Sequence, residues 1–338
     1  VTGDPRPQPA AARGDPPDLW RGLGGRRTGE LLALTPVSSP TGAGEVAPAG
    51  RTLLDASVWR SRESAHAARI DRLTAGHRLR RASGQRHPVE DFLFTYYPFA
   101  PAAIRRWHPG PGVRLAAGAA TERSGWRHYR VVGAHLELDH AAYLGARGDT
   151  VRFVRDLLDR TAGRPAQLGC FGLHEWAMVY RLPADQVRHH GLGLRLGSAG
   201  TDAVVEANPL RCSHFDAFRF FTQDARPRNA WQPTRATQVE LDQPGCLHAG
   251  MDLFKWSMKL APGVASELVG DCFELAFELR RLDMRASPYD VARLGLEPIP
   301  VETPEGRASY VGLQREYAAR AAQLRGRLVD ACTTLLAE

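Results

Sequence analysis

Three times between Cys170 and Asp252 the chain sets a cysteine, a histidine and an acid inside an apolar, aromatic-rich run: C-F-G-L-H-E-W from Cys170, C-S-H-F-D-A-F-R-F-F from Cys212, and C-L-H-A-G-M-D-L-F-K-W from Cys246. Ionisable groups in such settings are costly unless paired, hydrogen-bonded or metal-bound. Three clusters therefore predict one partly buried polar site built from His174/Glu175, His214/Asp216 and His248/Asp252. An imidazole beside a carboxylate suits proton transfer or the stabilisation of a developing cation. His248 and Asp252 stand four apart and share a face if the segment is helical, so Asp252 is the first candidate acid, oriented by His248. His214 and Asp216, two apart, converge only on extended or turn backbone. His174 and Glu175 are adjacent, so one of them enters the site.

The same residues support a second chemistry. His214, His248, Asp252 and Glu175 could ligate non-haem iron or zinc, which accept imidazole and carboxylate. No H-x-x-x-H or E-x-x-H spacing occurs among the clusters, so the leading expectation carries no cofactor. In a third reading the chain is a non-enzymatic helical nucleic-acid-binding protein whose polar pairs only lock its core. Cys170, Cys212 and Cys246 read as small core residues.

The elements that must position these residues are mainly helical. Residues 1–49, rich in Pro, Gly, Ala, Arg and Asp, cannot offset their ordering entropy and read as a disordered tail. Residues 50–338 read as one predominantly helical domain. Thr52–Arg81 is a helix whose 4-3 stripe carries Trp59, Glu63, His66, Ile70, Leu73, His77 and Arg80. Short helices follow at Phe92–Tyr97 and from Pro101 to Trp107, each stopped by proline. Gly112–Ala117 and Trp126–Val132 form a hairpin about a turn at Thr121–Gly125. Helices are expected at Thr150–Arg160, Leu247–Leu260, Val264–Met284 and from Thr303-Pro304 onward. The fold class is thus mainly α, a multi-helix domain with a small β-hairpin.

The net charge of +7 is localised: residues 51–130 carry fifteen arginines against six acids, and the remainder is near neutral or slightly acidic. Such a block suits a polyanionic partner. Glu267, Asp271, Glu274 and Glu278 form an acidic stripe that is either solvated or docked on the arginine-rich helix. Five cysteines without C-x-x-C spacing and without a secretory signal fit reduced thiols in a cytoplasm. No run is long and apolar enough to suggest a membrane span.

Arg86–Gly110 (R-H-P-V-E-D-F-L-F-T-Y-Y-P-F-A-P-A-A-I-R-R-W-H-P-G), F-G-L-H-E-W-A-M-V-Y-R at 171–181, and the run from Arg211 to Asp290 resemble a bacterial family commonly labelled 3-methyladenine DNA glycosylase. The resemblance spans roughly residues 50–335. It implies a DNA-repair hydrolase that everts an alkylated purine into a pocket and cleaves its glycosidic bond. Under that reading, Arg105, Arg106, Arg80 and Arg81 hold phosphates, and Trp107, Tyr96, Tyr97, Trp176 or Phe215 stack a base or wedge the duplex. Asp252, Asp216 or Glu175 is the acid, with DNA as partner. Leu260–Ala265 also resembles the hairpin of helix-hairpin-helix glycosylases, with Asp283 near the distance of their catalytic aspartate, although Ala265 replaces the second hairpin glycine.

Overall fold

The computed structural model describes residues 51–116 and 122–337; the expected tail at 1–49 and Thr121 of the expected turn lie outside the described residues. Eleven helices and four strands follow one another. Strand β1 (Thr52–Leu54) leads into α1 (Ala56–Ala82), α2 (Phe92–Tyr96) and α3 (Pro101–Arg105). Strands β2 (Val113–Ala116), β3 (Tyr129–Val132) and β4 (His135–Leu138) precede α4 (His140–Ala162) and α5 (Leu173–Ala177). Helices α6 (Gly197–Ala207), α7 (Phe215–Phe218) and α8 (Gln238–Leu241) are short. Helices α9 (Leu247–Leu260), α10 (Ser266–Arg285) and α11 (Pro304–Ala337) complete the chain. No helix among the described residues is long and apolar enough to cross a membrane.

Helix α9 is the axis of the core. It buries every residue except Met258 and Lys259, packing between α10, α11 and α4. Gly250 permits the approach of α10, since a Cβ there would lie 2.8 Å from Leu279. A helix buried all round is normally apolar all round. Because α9 also carries His248, Asp252 and Lys255, these groups must be satisfied by one another or by neighbouring elements.

The sheet differs from the expected hairpin. Its order is β1-β2-β4-β3, with β2 parallel to β1 and antiparallel to β4. The hairpin is β3–β4, turning at Gly133 (φ 59°), rather than β2 with β3. Charge sets this register. Glu137 lies opposite Arg114 on one neighbour and Arg130 on the other, and it binds both, together with Arg51. Cross-strand ion pairs of this kind stabilise one alignment over its slips.

The arginine block is largely neutralised by acids distant in sequence. Arg62 binds Glu267 at 2.9 Å, and Arg69 binds Asp271 and Glu274 at 2.8 Å. Glu278 instead pairs with Arg320 of α11. The acidic stripe is therefore docked: Glu267, Asp271 and Glu274 pair with α1, Asp271 and Glu278 with α11, and these pairs consume charge that a polyanion would need.

Two other expectations are corrected. The Leu260–Ala265 loop is not an open phosphate hairpin: Leu260 and Val264 are fully buried, and a Cβ on Gly263 would sit 2.7 Å from Tyr143. The Tyr143 hydroxyl donates to the Leu260 carbonyl at 2.7 Å, closing the loop against α4. Asp283 is wholly buried as well.

Burial opposes ionisation of Glu137, but Arg114, Arg130 and Arg51 outweigh it and hold the carboxyl down to about 2, from an ordinary 4.5. A depressed carboxylate contributes stability above its unfolded value and loses it as pH falls through the folded value. Unfolding free energy should therefore fall on acidification from pH 4.5 towards 2. In Glu137→Gln, denaturant titrations should give lower stability at pH 7 and a shallower acid slope, by about one proton, or about 1.4 kcal/mol per pH unit. An unchanged slope would remove Glu137 from this role.

Candidate active site

A cavity of about 190 Å³ opens beside α9, and each of the three clusters contributes one wall residue: Glu175, Asp216 and His248. Aromatic walls come from Phe92, Tyr96, Phe220 and Tyr289; Arg280 and Arg188 supply positive charge. The local sequence explains the placement. Phe171 and Gly172 both take left-handed backbone (φ 47° and 74°), which turns the chain sharply into α5 and buries Leu173–Ala177 as one turn. His214 is extended and caps α7, so Asp216 lies in its first turn.

The pairings inside differ from those suggested by sequence proximity. His174 bonds Asp283 at 2.8 Å through Nε2 and contacts the Cys170 sulfur at 3.3 Å through Nδ1, rather than pairing with Glu175. Glu175 accepts from Arg280 at 2.7 Å, and Arg280 also donates to Asp283 at 3.0 Å while lying 3.9 Å over the Phe92 ring. His214 uses Nδ1 toward Asp242 at 3.0 Å, not Asp216. Asp252 is not oriented by His248: it accepts from the Tyr97 hydroxyl at 2.8 Å and from Lys255. Lys255 also reaches Asp216 at 3.2 Å. Arg219 and Arg235 approach Asp216 from outside at 3.2 and 3.5 Å.

His248 stands between the other two imidazoles, with ring centroids 4.6 Å from His174 and 5.5 Å from His214. Burial opposes charge on all three, with different outcomes. Asp283 and Cys170 outweigh burial at His174 and raise it well above its ordinary value. Asp242 and Asp252 do the same, less strongly, at His214. His248 is pushed well below its ordinary value by burial, reinforced by its two imidazole neighbours. An imidazole pushed towards its neutral form thus borders the cavity, between two that are pushed towards protonation. At Asp216 burial is outweighed by Lys255, His214 and Arg219, which hold the carboxyl ionised. The site can offer a hydrogen-bond acceptor at His248 and present a carboxylate at Asp216.

Several expected ligand-contacting residues are turned elsewhere. Asp252 is buried away from the cavity, so the first choice of acid is displaced by Asp216. Trp107, Tyr97 and Trp176 cannot stack an incoming base, being 1%, 2% and 0% exposed. Trp107 donates to Glu267 and Trp176 to the Ala286 carbonyl. Arg80 is bound to Asp91 and Arg105 to Asp71. Arg106 stacks on Trp126, and Arg81 is exposed. Tyr96 does line the cavity, and Phe215 lies under Arg235.

Sequence reasoning missed Arg280, Asp242 and Lys255, whereas Tyr289, which with Asp290 follows Ser287-Pro288, was readable as a minor site candidate. Only Lys255 left a signal. The chain has two lysines among 44 basic residues, and a compact ammonium kept in an arginine-rich sequence marks a place where a planar guanidinium does not fit.

Two trios of potential metal ligands adjoin one another: His174, His248 and Asp283, and His214, Asp216 and Asp252, each with ligand atoms within 4.8 Å. In the second trio the Lys255 ammonium already binds both carboxylates. No family model, no curated protein and no solved structure matches the chain.

Removing the cation between two buried carboxylates leaves them repelling each other in a poorly solvated place. Lys255→Met should destabilise the fold by about 3–5 kcal/mol. Adding Asp252→Asn should restore part of that loss. Chemical denaturation of both single variants and the double variant measures the coupling, and strictly additive losses would mean Lys255 does not act by bridging these acids.

Proposed function

We propose that the chain is a DNA-repair N-glycosylase that accepts an alkylated purine in the Glu175–Asp216–His248 cavity and hydrolyses its glycosidic bond. The observation carrying this reading is the convergence of one residue from each cluster on a single aromatic-walled cavity. At about 190 Å³ it is smaller than most pockets for drug-sized ligands, which begin near roughly 300 Å³, and it suits one flat ring system. An alkylated purine is electron-poor and often cationic, which favours ring faces and carboxylates. Exposed Arg188, Arg219 and Arg235 border this cavity or its Asp216 and suit phosphates.

In this reading Asp216 stabilises positive charge developing on the sugar. Neutral His248 accepts a hydrogen bond from the attacking water and orients it. Glu175, fixed by Arg280, offers an acceptor to the base edge. The role assigned from sequence to Asp252 becomes that of holding Lys255 and Tyr97 in place.

One observation favours a metal-dependent oxygenase or hydrolase instead. His214 Nε2 is buried without a hydrogen-bond partner, 3.6 Å from Asp252, while Asp242 holds the other ring nitrogen as an outer-shell carboxylate would. The donor set does not fit a divalent ion with Lys255 where it is, because the ammonium already occupies the position between the Asp216 and Asp252 carboxylates.

Single-turnover base release from alkylated duplex DNA tests the proposal. Asp216→Asn should slow release on the order of 10²–10³-fold while leaving duplex binding largely intact. Release at the wild-type rate would exclude Asp216 as the charged group. A stoichiometric transition metal in the purified protein, with no base release, would replace the glycosylase by the metalloenzyme.

A further inference from the structure

Behind the cavity, three side chains are joined in a line that the proposed glycosidic chemistry does not use. Cys170 Sγ lies 3.3 Å from His174 Nδ1, and His174 Nε2 lies 2.8 Å from Asp283 Oδ1. Asp283 is itself fixed by Arg280 at 3.0 Å. A thiol, an imidazole within reach of it and a carboxylate orienting that imidazole are the parts of an activated cysteine nucleophile. The order is recognisable from roles and geometry alone, although 109 residues separate His174 from Asp283.

Three further observations distinguish Cys170 from the other thiols. It is partly exposed, whereas Cys212, Cys272 and Cys332 are buried. Cys246 is also partly exposed, but its thiol is held by the backbone of Ala249 and His248 rather than by an imidazole. The residue following Cys170, Phe171, holds a left-handed conformation that a bulky side chain rarely adopts, and Gly172 repeats it against Ala286, 3.0 Å from where a Cβ would stand. Strain of this kind persists where the surroundings force it and concentrates at functional turns. Finally, a second cavity, of about 410 Å³, is lined by Gln167, Leu168 and Gly169, the three residues leading into Cys170, together with Arg211 and Trp231. Arg211 is exposed and has no ion-pair partner among the described residues.

We propose that Cys170 is a nucleophilic thiol, activated by His174 and oriented through Asp283, that forms a covalent bond with a carbon electrophile carrying an anionic group. The second cavity admits the electrophile, and Arg211 attracts its charge. The proton between Sγ and Nδ1 is held on His174, which donates it in a hydrogen bond to the sulfur, and the sulfur electron pair forms the S–C bond. The bond from carbon to its leaving group breaks, the group departing with the electron pair. His174 then releases the proton to that group or to water. This chemistry is independent of base release and is read out separately from it.

Competitive alkylation of the native full-length chain, with peptide mapping of all five cysteines, tests the assignment. Iodoacetate serves as the anionic probe and iodoacetamide as the neutral one. At pH 7 Cys170 should react with iodoacetate at least on the order of tenfold faster than Cys246 or any buried thiol. His174→Gln should remove that advantage, and Asp283→Asn, which keeps the shape of the contact, should reduce it. Arg211→Ala should slow iodoacetate but leave iodoacetamide unchanged, while Cys170→Ser should abolish the fast label. Circular dichroism establishes that each variant is folded, and if His174→Gln is not, Asp283→Asn alone decides. Cys170 labelling no faster than Cys246, or equally fast in folded Asp283→Asn, would overturn the proposal. Equal slowing of both probes by Arg211→Ala would overturn the anionic preference.

Discussion

The guanidinium of Arg280 is the interaction on which the site depends. It is 2% exposed, bridges Glu175 and Asp283, and lies over the Phe92 ring, so one side chain ties α5, α10 and α2 together. Two buried carboxylates this close would otherwise repel each other and favour protonation of one. With the guanidinium between them, Asp283 is held ionised: burial opposes this, and His174 and Arg280 overcome it. Ionised Asp283 in turn helps raise His174, and charge on His174 helps keep His248 neutral. On this side of the cavity Arg280 and His174 together stabilise the Asp283 carboxylate.

Lys255 performs the matching task on the opposite side. Its ammonium separates Asp216 from Asp252, with Tyr97 completing the shell of Asp252. One half of the site sets Glu175 and Asp283 against Arg280 and His174, the other sets Asp216, Asp252 and Asp242 against Lys255 and His214, and His248 lies between them. Near-balance of charge explains how so many ionisable groups share the interior, since buried charges persist when paired and hydrogen-bonded. It also explains why a divalent ion does not fit as the second trio stands.

The surface follows from the same accounting of charge. The arginines of residues 51–130 looked available because their partners lie far along the chain; the Arg62–Glu267 and Arg69–Glu274 pairs each span 205 residues. Once α10 docks on α1, the arginines bordering the cavity and its Asp216 come instead from residues 188–235, a stretch without a conspicuous excess of charge.

Local order was legible in the sequence. Apolar periodicity with proline and glycine punctuation located α9 at Leu247–Leu260 and came within a few residues of α1, α2, α3, α10 and α11. These signals act over one or two turns and need no tertiary partner. The density of histidine and acid in apolar runs also singled out Glu175, Asp216 and His248 as candidates for a common cavity. What the sequence did not determine was pairing. His174 chose Asp283, His214 chose Asp242, Asp252 chose Tyr97 and Lys255, and β2 chose β1 and β4 over β3. An ion pair or a strand pair depends on which surfaces packing brings within about 3 Å, and spacing along the chain carries no record of that. Sequence thus supplied the inventory of the site, and the packing of α9 and α10 against the smaller helices assigned each group its partner, its charge and its exposure.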